Sequence, residues 1–351
     1  MYDPLKAQTA KIGSTVLPTP TQSSDRQEMP LKTSYLGNTL TDTVFVDPRW
    51  LISFAAGIGD HNPCYVDTTN QAIPTPTNDF HTSGLQGSNI IAHPLFVWAV
   101  EWPSLWLRAS AQLFPNIHFL DHEKGKGTVH YAQDVLIHRP IQACDTLVLT
   151  CTLVALKKRR QGVVTVYKFD HHDKDGCLVA ETFNTAYWRG LDLDGDSCQM
   201  APRMLPPPLP TYYSAASSTV PLLKVEMPIA PYAGVIYAEC ARIWNPIHTD
   251  KAAAVASGLP DTILHGTCTM AKAISCIVQH YAGDDPRRVQ RVSVGSFSAI
   301  VVMPSVVVLR VWHVHVYEHT STAVHYDVLN GAGDPAIKGG LVVFSGNLAR
   351  L

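Results

Sequence analysis

Hydrophobic and polar positions along the chain change period several times, and the changes come twice in the same order. Residues 1–35 are polar, rich in Thr, Ser, Pro and Gln, and hold no sustained period, the composition of a mobile arm. Order is predicted to begin at 43–47, a short strand leading into a helix over 50–58. An apolar helix follows over 94–114, with Trp98, Trp102 and Trp106 at helical spacing, as on a buried central helix. Pro103 marks a break or kink in it. From 128 onward the period shortens, and strands are predicted over 129–139, 146–158, 163–170 and 178–189, separated by turn signals such as Asp175-Gly176. Residues 191–231, with Pro206-Pro207-Pro208 and Pro210, suit neither a helix interior nor a central strand and read as a surface linker. A second helix is predicted over 267–281, then strands over 289–302, 305–319, 322–329 and 337–348.

The stretches before the two long helices carry the chemistry. The later one reads Asn245-Pro246-Ile247-His248-Thr249-Asp250, then Leu264-His265-Gly266-Thr267. Pro246 forces Asn245 into an extended or turn conformation, so His248 leaves an irregular loop from which an imidazole can point into a cleft. Gly266 opens a helix whose first N–H groups have no intrahelical partner and carry a partial positive charge. The earlier stretch reads Gly59-Asp60-His61-Asn62-Pro63-Cys64-Tyr65-Val66-Asp67, then Ile91-Ala92-His93-Pro94. Asp60 stands where Ile243 stands, Tyr65 where His248 stands, Asp67 where Asp250 stands and His93 where His265 stands, which indicates an internal duplication. The first copy keeps an acid and lacks the histidine; the second keeps the histidine and lacks the acid. The longer loop at 68–89 reads as a lid or as a disordered insertion.

Asn245, Pro246, His248, Asp250, His265 and Gly266 together resemble the signature of MaoC-like hydratases, the (R)-specific enoyl-thioester hydratases and dehydratases of the hot-dog fold. That signature runs Ser-Gly-Asp-x-Asn-Pro-x-His, then Asp and a helix, then His-Gly. Its catalytic Asp position holds Ile243 here. The resemblance implies an α+β, double hot-dog fold, two central helices each wrapped by an antiparallel sheet in an intramolecular pseudo-dimer. The halves are expected at 36–190 and 232–351. It also implies addition or elimination of water at an α,β-unsaturated or β-hydroxy acyl thioester. His248, Asp60 and Asn245 are the implied catalytic residues, and Gly266, Thr267, His265, Tyr65, His93 and Asp250 the implied substrate-binding ones. The missing acid keeps two alternatives open, a redirected isomerase or cyclase and a non-catalytic acyl-ligand-binding protein. In a two-fold arrangement Asp60 and His248 are expected to lie too far apart to hold one water, leaving Asp250 or Glu239 as the acids nearest in sequence.

Composition narrows the picture further. The 351 residues, 46% hydrophobic, suffice for two cores. A net charge of −2 with mixed signs offers no nucleic-acid surface, and Lys157-Lys158-Arg159-Arg160 reads as a solvated turn. The eight cysteines include no Cys-x-x-Cys pair, which speaks against a zinc ribbon and for a reducing compartment. No apolar run is long enough to span a bilayer, and no signal-peptide pattern opens the chain. A cytoplasmic location is expected, with the peroxisome as the alternative suggested by Ala349-Arg350-Leu351. Lys124-Gly125-Lys126-Gly127 lacks the context of a phosphate loop, and no Gly-x-Ser-x-Gly elbow occurs. No cofactor is expected. The pairs His171-His172 and His313/His315 lack further ligands at metal-binding spacing, and the first reads as exposed. The expected partner is a small carbonyl substrate (acyl-CoA, acyl-carrier-protein-bound or free) on a monomeric pseudo-dimer or a homodimer.

Overall fold

The computed structural model describes residues 30–69, 89–107, 113–114, 127–210, 220–317 and 320–346. Residues 1–29 of the N-terminal arm, most of the 68–89 loop, the side chain of Trp106 and the C-terminal tripeptide lie outside the described residues, whereas residues 30–35, expected to belong to the arm, are ordered, with Leu31 fully buried and paired to Leu193.

The first half opens with the two-residue strand β1 (Leu31–Lys32) and with β2 (Thr39–Phe45), which feeds helix α1 (Pro48–Ile58). Asp47 caps α1 by accepting the Arg49 N–H, Pro48 sits at its first turn, and Gly59 ends it in the left-handed conformation at φ +77°. The single turn α2 (Pro63–Val66) is capped by Asn62. Helix α3 (Phe96–Leu107) is the apolar central helix and contains Pro103. Strands β3 (Gly127–Ile137), β4 (Thr146–Arg159), β5 (Gly162–His172) and β6 (Leu178–Arg189) follow, with the short β7 (Leu193–Asp194) and β8 (Cys198–Gln199).

The second half repeats the order. Strand β9 (Leu223–Ile229) leads into α4 (Ala233–Ala241), a 3₁₀ turn at Pro246–His248, α5 (Lys251–Ala256) and the long α6 (Gly266–Tyr281). Then come β10 (Val289–Val294), β11 (Ser296–Phe297), β12 (Ser305–Tyr317), β13 (Ser321–Leu329) and β14 (Pro335–Ser345).

The long strands form one antiparallel sheet in the order β2-β4-β5-β6-β3-β10-β14-β13-β12-β9. The order is mirrored about the β3–β10 seam, so the two copies of the motif face each other across a pseudo-two-fold. At that seam Arg291 donates to Asp134 through Nε and Nη2 at 2.9 and 2.6 Å and to the carbonyls of Pro207 and Pro208. One pair therefore ties both halves to the chain that joins them. Apolar residues of α1, α3, α4, α6 and both sheet halves share one continuous core. The architecture is the α+β double hot-dog.

The structure departs from three further expectations. The strand predicted over 289–302 breaks at Gly295, whose amide is shared between the Lys338 and Gly339 carbonyls. Residues 223–229, read as linker, form edge strand β9 on β12, where Pro228 is tolerated. His171, expected exposed, is fully buried with Nε2 3.1 Å from Glu101 Oε1, itself fully buried. Among the described residues no helix is long and apolar enough to cross a membrane.

Candidate active site

Pro246 holds Asn245 extended at φ −114°, ψ 119°, and the Asn245 side chain caps the following 3₁₀ turn through the Ile247 N–H. That turn projects His248. Its Nδ1 lies 2.8 Å from the carbonyl oxygen of Ile263. A carbonyl only accepts, so Nδ1 carries the proton in the neutral ring and Nε2 the lone pair, the tautomer a general base needs.

His265 stacks on His248 with ring centroids 3.6 Å apart and an interplanar angle of 25°. It is 3% exposed, and its Nε2–H donates to the carbonyl of Ile243 at 3.3 Å. Burial, reinforced by the neighbouring His248 charge, pushes the His265 imidazole well below its ordinary range, so it stays neutral beside His248. Tyr237 packs edge-on against His265 and donates its hydroxyl to Thr267 Oγ1 at 3.2 Å.

His265 is also the residue before α6, and Gly266 and Thr267 form its first turn. The Phe297 ring lies over Gly266 so closely that a Cβ there would meet Phe297 Cδ1 at 2.7 Å. Glycine lets backbone and ring approach while the first amides of a sixteen-residue helix face outward.

These groups border a cavity of about 410 Å³ with walls from both halves. From the second half come Ile243, Asn245, His248, His265, Gly266 and Thr267; from the first come Trp98, Trp102, Thr128, Val129, His130 and Arg189. No Asp or Glu is among the described lining residues. Ile243, 2% exposed, occupies the wall where the related motif has its acid.

Five of the nine residues singled out in the sequence thus share this cavity: His248, Asn245, His265, Gly266 and Thr267. Asp60, Tyr65 and His93 do not line it. They gather at the first copy, where the Asp60 carboxylate accepts the Asn62 N–H, Tyr65 is buried, and His93 lies against Tyr65 with centroids 5.5 Å apart. His93 Nδ1 accepts the Leu95 N–H at 3.1 Å, so Nε2 is the protonated nitrogen and donates to Ser275 Oγ at 3.3 Å. Asn62 is anchored to the second half by Nδ2 bonds to the Asp284 carbonyl and carboxylate. The cavity beside His93 measures only about 20 Å³, room for a water. Asp250 is exposed and spends its carboxylate capping α5 through the Ala252 and Ala253 N–H groups, and Glu239 is exposed on α4. Asp60 thus belongs to the first-copy cluster and His248 to the cavity of the second.

Sequence reasoning missed the first-half wall. His130 sits mid-strand in β3, with Nε2 2.9 Å from Gln133 Oε1 and its ring stacked on Trp98 at 4.5 Å. Burial brings its imidazole down to about 4, so it is neutral at physiological pH. No local pattern distinguishes it from any other strand histidine, and only the closure of the sheet brings it to the cavity.

Residues 214–332 match the family model described as MaoC like domain. Among curated proteins, the chain is 25% identical over 185 residues to peroxisomal enoyl-CoA hydratase 2 of Arabidopsis thaliana, covering 52% of this chain and 59% of the relative. It is 31% identical over 103 residues to enoyl-CoA hydratase ChsH3 of Mycobacterium tuberculosis, covering 29% and 35% of the two chains. The chain thus matches less than two thirds of the length of either relative. Its fold is similar to that of a MaoC-like dehydratase from Phytophthora capsici, with a TM-score of 0.66 at 19% identity over 89% of this chain and 97% of that one. The chain has the double hot-dog fold, and residues 214–332 within it carry the likeness to the MaoC like domain.

Proposed function

We propose that the protein interconverts a 3-hydroxyacyl thioester and the corresponding 2-enoyl thioester by loss or gain of water, with His248 handling the proton. The observation that supports this reading is that His248, Gly266 and Thr267 border one cavity whose described lining residues include no carboxylate.

In the dehydration direction the thioester carbonyl oxygen lies at the start of α6. His248 Nε2 takes the α-proton, and the Gly266 and Thr267 N–H groups hold the charge that develops on the enolate oxygen. The imidazolium then returns that proton to the departing β-hydroxyl as the Cα–Cβ double bond forms and the C–O bond breaks. The α-hydrogen leaves in the water, and His248 ends neutral. A single base on one face of the substrate serves both transfers, which suits a wall where Ile243 replaces the acid. Asn245 orients the hydroxyl without exchanging protons, and the Ile263 carbonyl keeps His248 in the required tautomer.

The absence of a carboxylate among the described lining residues also favours a second reading, isomerisation, in which the same enolate is reprotonated at carbon and no water leaves. The experiment that decides is incubation of the purified chain with 3-hydroxyacyl and 2-enoyl pantetheine thioesters in deuterated water, followed by mass spectrometry. A mass change of one water supports hydratase chemistry. Deuterium entering the α-position without loss of water supports isomerisation, and neither change leaves a ligand-binding protein without turnover.

A further inference from the structure

The cavity has two kinds of wall. Around His248 it is aliphatic, built by Ile243, Ile247, Ile263 and Leu264 of the second half. Opposite lie four rings, Trp98, Trp102 and His130 of the first half and Phe297 of the second, with Thr128, Val129 and Arg189 beside them. Trp98 stacks on His130 at 4.5 Å and 22°, His130 meets Phe297 at 4.9 Å and 54°, and Trp102 stands edge-on to Trp98 at 5.8 Å and 67°. All four rings border the cavity.

The direction of the substrate follows from exposure. Gly258, Ser298 and Ile300 border the cavity on its second-half side and are exposed, whereas Trp98 and Trp102 on the first-half side are 3% and 7% exposed. A bulky carrier must leave past the exposed residues, so the acyl group extends from His248 toward the rings. Each of these rings is braced by its neighbours, so little rotamer freedom is lost when a ligand lies against it. A flat π-system gains offset-stacked or edge-to-face contact there in addition to the apolar area that any hydrocarbon buries. A saturated chain gains the area alone.

Resting on the thioester reading above, we propose that the acyl group this protein takes is planar and unsaturated at its far end, an aryl or conjugated polyene group that packs against Trp98, His130 and Phe297.

The test uses paired pantetheine thioesters with identical reacting carbons and a ring at the far end of the chain, phenyl in one and cyclohexyl in the other. Two series are needed. The enoyl esters report kcat/KM. The saturated phenylpentanoyl and cyclohexylpentanoyl esters, which have no double bond to hydrate, report Kd by calorimetry, so the stacking claim is read even if no enoyl ester turns over. The phenyl ligand is expected to bind roughly five- to tenfold more tightly, the range of one or two aromatic contacts. Trp98→Leu and Phe297→Leu should each reduce that ratio to about twofold or less. Phe297 is only half-buried, so its variant keeps the test available if loss of the buried Trp98 unfolds the chain. Equal or tighter binding of the cyclohexyl ligand, or a ratio that survives in a folded variant, overturns the proposal. Failure of both enoyl esters with an intact Kd ratio overturns only the hydratase reading.

Discussion

At the scale of single residues, the Asn-Pro-x-His spacing was legible because a 3₁₀ turn capped by Asn245 is a local structure that a few residues determine alone. Replacing His248 by alanine removes the proposed base, and kcat is expected to fall by roughly two to four powers of ten. His248 is half-buried, bonds the Ile263 carbonyl and stacks on His265, contacts of modest net worth, so the melting temperature should drop by only a few degrees. Activity that survives the change would remove His248 from the mechanism. Ile243→Asp examines the missing acid. A carboxyl at that 2%-exposed site is disfavoured in its charged form and stays protonated, a suitable proton donor to a departing hydroxyl. The variant is expected to be less stable by about 1–3 kcal/mol, for burial of a polar group, yet at least roughly tenfold faster in dehydration, the low end of what a positioned acid supplies. A slower enzyme would show that the apolar wall serves the chemistry. What sequence could not reveal at this scale is which polar residues meet. Asp60, Tyr65 and His93 carry motif identities yet form their own filled cluster, and His130 carries none and reaches the cavity.

At the scale of elements, the duplication was legible because periodicity is a property of each segment. The central helices and the long strands appear where the pattern places them, with boundaries moved by a few residues. The misses have physical causes. Strand β9 hides in proline-rich surroundings because an edge strand tolerates Pro228, and the strand after β10 is interrupted by the amide of Gly295 pairing with two carbonyls. The packing of the two motif helices was not legible at all. Helices α1 and α4 meet where Gly57 faces Cys240, and a Cβ on residue 57 would sit 2.6 Å from the Cys240 Cβ. Gly57→Ala should gain helix propensity yet lose more by overpacking, a net destabilisation of about 1–3 kcal/mol in urea unfolding. Cys240→Ala should not rescue it, since the clash is with the Cβ that alanine keeps. Rescue by that change would mean the helices separate easily.

At the scale of the whole molecule, two features of the seam and core set how stability responds to conditions and to mutation. Burial brings His93 and His130 down to about 4, whereas in the unfolded chain they titrate near 6.5. Below that value the unfolded state binds protons that the folded state refuses, so stability is full above about pH 6.5 and falls as pH drops toward 4. Each histidine contributes at most about 1.4 kcal/mol per pH unit, and half-buried His130 less, because solvent screens it. Urea midpoints from pH 7 to 4.5 should fall, and His93→Gln should flatten the slope.

The seam gives the sharper test. Arg291 and Asp134 are each 7% exposed, and they join β10 to β3 while Arg291 also holds the Pro207 and Pro208 carbonyls. Burial raises the Asp134 carboxyl's pKa above its ordinary value even though the Arg291 bonds pull it down, so the carboxylate depends on its partner. Arg291→Met leaves an uncompensated buried acid and two unpaired carbonyls, and is expected to lose about 3–5 kcal/mol. Asp134→Leu leaves a buried cation that still has the linker carbonyls, so it should lose less than Arg291→Met. The double variant removes both charges, and its destabilisation should fall well below the sum of the singles, with a coupling of the order of 1–3 kcal/mol in a double-mutant cycle. Because the bond spans both halves, unfolding of Arg291→Met should also lose cooperativity, with tryptophan fluorescence, to which the first half contributes five of the seven tryptophans, changing at a lower urea concentration than far-ultraviolet ellipticity. Additive losses with coincident transitions would show that the sheet alone, through the β3–β10 ladder, holds the two hot-dog halves as one unit.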